Sequence, residues 1–141
     1  MTTLRSGLKL NPVPDPMPTA ENLGIVIRAS EIGGRGAFTT RKLAIHAVVG
    51  RYTGEALTRD QFDARYPHGG ARYVLEIGGG VFIDAREESS SGWCRFINSN
   101  AGVHRPPNVR AEPGGVIRAT ANIAAGSELL MAYGRTYDGY E

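Results

Sequence analysis

Two polar groups in this chain stand at the ends of apolar runs, where a reacting molecule could be held. Asn98 ends Arg95-Phe96-Ile97-Asn98, and Tyr133 ends Leu129-Leu130-Met131-Ala132-Tyr133. A carboxamide beside a core carries two donors and an acceptor that must find partners, either in neighbouring backbone or in a polar ligand group. Upstream, Gly34-Arg35-Gly36-Ala37-Phe38 follows the first apolar run. Glycines there let a backbone approach a ligand closely, or simply turn a hairpin. Tyr52, in Tyr52-Thr53-Gly54-Glu55, ends another run and read alone is a core aromatic beside a turn. Read alone, these groups offer a ligand close backbone approach and amide hydrogen bonds.

The elements that must carry these groups read as short strands. Leu23-Gly24-Ile25-Val26-Ile27, Ala47-Val48-Val49, Tyr73-Val74-Leu75-Glu76-Ile77 and Val81-Phe82-Ile83 are brief apolar runs between glycine-rich breaks. Residues 73–83 predict a hairpin, because Gly78-Gly79-Gly80 can take the positive backbone angles of a tight connection. Thr58 and Gln61 fit a capping box ahead of Phe62 and Tyr66, which lie four apart, and Pro67 closes the element. The helix is therefore Arg59–Arg65. Strand signals return at residues 116–120 and 129–133 around the turn Ala124-Ala125-Gly126, with alternation placing Leu129, Met131 and Tyr133 on one face. No internal repeat is visible. Residues 1–20, with four prolines in residues 11–18, read as an extended lead, and residues 21–141 as one domain.

A chain of 141 residues has room for one core, and 41% hydrophobic against 21% charged residues is enough to bury it. The lone Cys94 excludes an internal disulfide and a cysteine-based zinc cluster, so no metal is expected and a reducing compartment is the default. Neither a signal peptide nor a run of about 20 apolar residues is present, which predicts a soluble protein with no membrane partner. The net charge of +2 is spread singly along the chain, which argues against direct nucleic-acid binding.

In order and approximate spacing, these segments resemble the four motifs of the SET-domain protein lysine methyltransferases, and in particular the small viral members that consist of little beyond that domain. The resemblance runs from about Leu23 to Tyr137. It implies a mainly β fold of short strands in small sheets, with one or two short helices and a threaded, pseudoknot-like C-terminal crossing. It implies S-adenosylmethionine as cofactor, held by Gly34, Arg35, Gly36, Ala37, Phe38, Tyr73, Arg95, Phe96, Asn98 and Ser99. Tyr133 falls on the catalytic tyrosine, Tyr52 and Tyr137 on the walls of the lysine channel, and Ala111 and Met131 on positions beside it. Where the family has Asn-His-Ser-Cys-x-Pro-Asn, this chain has Asn98-Ser99-Asn100, an insertion over residues 101–106, and then Pro107-Asn108. Asn100 is the residue expected to replace hydrogen bonds of the missing histidine, and His104 reads as a solvated loop residue.

The resemblance further implies a lysine-containing protein as partner, with a histone tail the expected substrate and a nuclear or host-nuclear location following from it; for another substrate the location is cytoplasmic. The short segment after Tyr133 implies a homodimer, or the proline-rich lead folding back, to cover the channel. Neither Ala111 nor Met131 carries a hydroxyl that could hold a competing water, which predicts di- or trimethylation. The competing readings are a SET-like module that binds cofactor or lysine tails without turnover, and a small β-barrel for nucleic acid. The barrel needs aromatic side chains exposed beside basic ones, whereas Phe82, Phe96 and Tyr133 sit in apolar runs.

Overall fold

Glycine and capping signals set the local structure where they occur. Gly78, Gly79 and Gly80 all adopt positive φ (96°, 64° and 73°) and connect two antiparallel strands, as their sequence predicts. Thr58 and Gln61 form the capping box, with Thr58 Oγ1 accepting from the Gln61 N–H and Gln61 Oε1 from the Thr58 N–H. The structure, a computed structural model, describes residues 2–3, 9–10, 17–101 and 103–133. Along the chain these form β1 (Thr2–Thr3), β2 (Lys9–Leu10), α1 (Ala20–Leu23), β3 (Ile25–Ala29), β4 (Arg35–Thr39), β5 (Val48–Arg51), β6 (Glu55–Thr58) and α2 (Arg59–Arg65). They continue with β7 (Val74–Glu76), β8 (Val81–Asp84), 3-10 turns at Glu88–Ser90 and Trp93–Phe96, β9 (Asn98–Ser99), β10 (Val109–Ala111), β11 (Val116–Ala119) and β12 (Leu130–Met131). The architecture is the expected one of short strands in small sheets with two short helices. No helix among the described residues is long and apolar enough to cross a membrane.

The largest sheet has the order β5-β11-β10-β12-β9. In it β12 runs parallel to both neighbours, with Leu130 opposite Asn98, Met131 opposite Ser99, and Val109 opposite Met131. Strands β9 and β10 are joined by residues 100–108, so the C-terminal strand lies between two strands already connected to each other: a threaded crossing. An interior parallel strand is covered on both faces. Leu129, Leu130 and Met131 are accordingly all buried, and the ladder is limited to Leu130–Met131. The alternation expected over residues 129–133 is thus broken at Leu130, which is buried along with Leu129 and Met131, and holds beyond it, where Ala132 is exposed and Tyr133 buried.

Two smaller sheets complete the frame. The β3-β4 hairpin pairs Ile25 with Thr39 through to Ala29 with Arg35. The sheet β6-β8-β7 carries a satellite core in which the Phe62 ring stacks on Phe82 at 4.6 Å. Asp84 fastens α2 to this sheet, accepting from the Tyr66 hydroxyl at 2.6 Å and from Arg65 at 3.1 Å. Burial, with the Asp84 bond, pushes the Tyr66 hydroxyl up to about 12. Burial likewise pushes the Cys94 thiol up to about 12, which makes it an inert core group.

The structure also contains a repeat that the sequence conceals. Residues 39–48 and 119–128 make the same turn and face each other. Leu43 and Ile123 exchange N–H···O bonds of 2.9 and 2.8 Å. His46 donates to Ala119 O at 2.9 Å as Gly126 donates to Thr39 O at 2.7 Å, and Ala119 donates to Ala47 O as Thr39 donates to Ser127 O, both at 2.9 Å. The two turns differ at one demanding position: Gly126 has φ 89°, and its counterpart His46 has φ 75° with a side chain to accommodate. A left-handed non-glycine residue costs roughly 1–2 kcal/mol, offset in part by about 0.5–1 kcal/mol for ordering a glycine. His46→Gly should therefore raise stability by up to about 1 kcal/mol, read as a rise of several degrees in the melting midpoint. A midpoint that stays put or falls would contradict this.

Candidate cofactor cleft and tyrosine pair

The turn between β3 and β4 forms one wall of a cleft of about 350 Å³, lined by Ile32, Gly33, Gly34, Arg35, Arg72, Tyr73, Arg95, Phe96 and Asn98. Gly33 and Gly34 have φ of 147° and 54°, which lets main chain rather than side chain face the space. The opposite wall is built on Arg95. Its guanidinium lies 3.8 Å from the Tyr73 ring centre and 4.9 Å from that of Phe96, and it donates to Ala85 O at 2.7 Å and Arg86 O at 3.2 Å. Arg35 covers the Phe96 ring at 4.5 Å and pairs with Glu88 at 2.9 Å. Stacked guanidinium and aromatic planes of this kind hold each other flat and rigid. Arg72 makes no ion pair among the described residues, so its charge remains available to the cleft.

Asn98 closes the cleft, and its amide orientation follows from its partners. Nδ2 donates to Glu128 Oε2 at 2.9 Å and to Arg35 O at 3.1 Å. Both partners only accept, so both amide protons are committed. Oδ1 is the atom left to receive a ligand's hydrogen bond.

Tyr133 stands behind this wall. It is buried, and its hydroxyl donates to the carbonyl of Ile97, the residue before Asn98. The Tyr52 and Tyr133 rings meet edge to face, with centroids 6.4 Å apart and planes at 76°. Met131 is fully buried in the same cluster, and Ala111 packs against it from the strand next to β12. Tyr137 lies outside the described residues.

Six of the ten residues expected at the cofactor therefore line one cleft: Gly34, Arg35, Tyr73, Arg95, Phe96 and Asn98. The other four lie apart from it. Arg35 to Phe38 form strand β4 rather than a loop. Ala37 is in the core. Phe38 lines a second cleft, with the Arg28 guanidinium 4.0 Å from its ring centre. Ser99 pairs with Met131, and its Oγ accepts from the Ala101 N–H. Gly36 does serve a close approach, but to protein: a side chain there would run into the Glu128 carboxylate and lie 3.1 Å from Asn98 Nδ2. Arg72, Ile32 and Gly33 were not picked out from the sequence, although Gly33 adjoins Gly34 and Arg72 adjoins Tyr73. Asn100 does not take over the crossing through its side chain; Nδ2 bonds Arg105 O at 3.3 Å and closes the inserted loop. The clamp on the crossing is Asn108, whose Nδ2 donates to Glu128 O at 2.9 Å while Oδ1 accepts from the Leu130 N–H at 2.8 Å. His104 is exposed, as expected of a loop residue.

A threaded strand between β9 and β10, a glycine turn and an asparagine sharing one cleft, and a tyrosine pair behind it define a protein of the SET type. The chain belongs to that family: the SET domain family model matches residues 34–134. It is also similar to the histone-lysine N-methyltransferase MEDEA of Arabidopsis thaliana, with 32% identity over 83 residues. That stretch is 57% of this chain and 12% of MEDEA, so the chain spans a small part of that relative's length.

Proposed function

We propose that the protein is an S-adenosylmethionine-dependent protein-lysine N-methyltransferase that acts on a histone tail, with Tyr133 as its catalytic tyrosine. The observation that carries this reading is the cleft whose walls are the Gly33-Gly34 turn and Asn98, joined to Tyr133 through the Ile97 carbonyl. Its donor set suits the cofactor. Asn98 Oδ1 can accept from an ammonium, Arg72 can take a carboxylate, and the faces of Tyr73 and Phe96 can flank flat or cationic groups. When bound, S-adenosylmethionine supplies an electrophilic methyl group.

The chain's own residues must then deliver a neutral amine. A lysine with pKa about 10.4 costs roughly 4–5 kcal/mol to deprotonate near pH 7. The buried rings of Tyr52 and Tyr133 exclude water from the path of the amine, and desolvation disfavours its ammonium form. The Tyr133 hydroxyl, held at the Ile97 carbonyl, orients the amine, and positioning supplies the rest of the barrier reduction. At Ala111 and Met131 no hydroxyl holds a water in the place of a further methyl group, so the product is di- or trimethyllysine. Mass spectrometry of a peptide substrate at long reaction times reads this directly, and a product that stops at one methyl group with cofactor in excess refutes it.

Asn98→Ala tests the cofactor site. Hydrogen bonds to charged groups contribute about 1.5–3 kcal/mol each, so calorimetric affinity for S-adenosylmethionine should fall at least about tenfold. An unchanged dissociation constant in a folded variant removes Asn98 from the site.

A further inference from the structure

Glu128 is a buried carboxylate to which the reading above gives no task. It is 5% exposed and makes no ion pair among the described residues. Leaving a carboxylate inside a protein on hydrogen bonds alone is costly unless those bonds are well made. Here they are specific. Ser30 Oγ lies 3.0 Å from each carboxylate oxygen, and Asn98 Nδ2 lies 2.9 Å from Oε2. Main chain also keeps the carboxylate in place, through the bridge between Glu128 and Phe38 and the Asn108 bond to the Glu128 carbonyl.

One partner of this carboxylate, Asn98, lines the cleft, and the other, Ser30, braces the turn that lines it as well. Ser30 organises the β3-β4 turn: its Oγ accepts from the Ile32 N–H at 3.1 Å, and its N–H donates to Gly34 O at 3.0 Å. That turn supplies Ile32, Gly33 and Gly34 to the lining, and Asn98 closes the same cleft. The contact leaves no room for a side chain at Gly36, which accounts for the second glycine of the Gly34-Arg35-Gly36 motif without any ligand.

We infer that Glu128 is a positioning residue for the cofactor cleft, joined through Ser30 to the β3-β4 turn and directly to Asn98. By accepting one amide proton while Arg35 O accepts the second, it turns Asn98 so that Oδ1 faces the ligand. The cleft then favours a ligand group that donates, such as an ammonium, over one that accepts. The inference rests on the proposed cofactor site and predicts that Ser30 and Glu128 act on binding rather than on transfer.

The test compares wild type, Ser30→Ala, Ser30→Thr and Glu128→Gln by calorimetric titration with S-adenosylmethionine, alongside melting midpoints and steady-state kinetics. Ser30→Ala removes the Oγ bond to Glu128 and the bond Oγ accepts from the Ile32 N–H, at a partly buried position where one small side chain replaces another, so it is the variant chosen to stay folded. Its dissociation constant and its KM for the cofactor should rise about tenfold, the loss expected from one hydrogen bond to a charged group. Its kcat at saturating cofactor should fall far less, and Ser30→Thr, which keeps a hydroxyl, should restore affinity. Glu128→Gln should weaken binding in the same direction. Wild-type affinity in Ser30→Ala overturns the inference while leaving the cofactor site intact. Losses in kcat and affinity that simply follow the melting midpoint, without rescue by Ser30→Thr, also overturn it, because a purely structural role gives that pattern. A wild-type protein that does not bind S-adenosylmethionine overturns the proposed function itself, and this inference with it.

Discussion

Replacing Tyr133 by phenylalanine should lower turnover about 100- to 1000-fold, the loss typical of removing one pre-positioned hydrogen-bonding group from a reaction centre. The ring stays, so its edge-to-face contact with Tyr52 survives and the core around Met131 and Leu129 is undisturbed. What disappears is the hydroxyl at the Ile97 carbonyl. Tyr133 is not among the residues that line the proposed cofactor cleft, which keeps its lining, so affinity for S-adenosylmethionine should change little. Loss of kcat at constant cofactor affinity is the mark of a group used in the chemical step. Wild-type turnover in a folded Tyr133→Phe protein would remove the tyrosine from the chemistry.

The second large effect is on stability. Among the described residues, Asn108 is the side chain that bonds the main chain of the threaded segment twice, at Glu128 O and at the Leu130 N–H, and Asn108→Ala removes both bonds. Each abandoned main-chain group loses its partner in a partly buried setting, at about 1–3 kcal/mol apiece. A loss of about 2–4 kcal/mol is a large part of the roughly 5–15 kcal/mol available to a domain. Asn108→Asp keeps the acceptor for Leu130 but loses the donor to Glu128 O, so it should fall between wild type and alanine. Urea denaturation measures both, and an Asn108→Ala midpoint within error of wild type would show that the crossing is held by its ladder and core alone.

Local signals made much of this molecule legible. The glycine triple at 78–80 and the Thr58–Gln61 box depend on neighbours in sequence, and the structure has them where the sequence predicts; the strands are less exact, since Leu23, read as strand, ends helix α1, and the run 129–133 pairs only over Leu130–Met131. The chain order of Gly34, Asn98 and Tyr133 carried the resemblance to the family, and the structure brings Gly34 and Asn98 to one cleft and Tyr133 against Tyr52. What stayed hidden depends on contacts between distant segments. An acidic residue before an apolar run reads as a solvated strand end, so nothing local reveals that Glu128 is buried against Ser30 and Asn98. Gly36 reads as room for a ligand because its real neighbour arrives from the far end of the chain. The clamping role of Asn108 exists only once β12 has been threaded between β9 and β10. The paired turns share little beyond Leu43-Ala44 and Ile123-Ala124, since their likeness lies in main-chain bonds that many sequences can make.

The central claim is that the cleft and the tyrosine pair together move a methyl group onto lysine. Incubating the protein with S-adenosylmethionine labelled at its methyl group, in the presence of a panel of histones and cell extracts, tests it most directly. Mass spectrometry then locates the label. The label should appear on lysine Nζ of a histone, with Tyr133→Phe abolishing most of it. Tight cofactor binding with no label on any lysine would contradict the account and leave a module that binds without turnover.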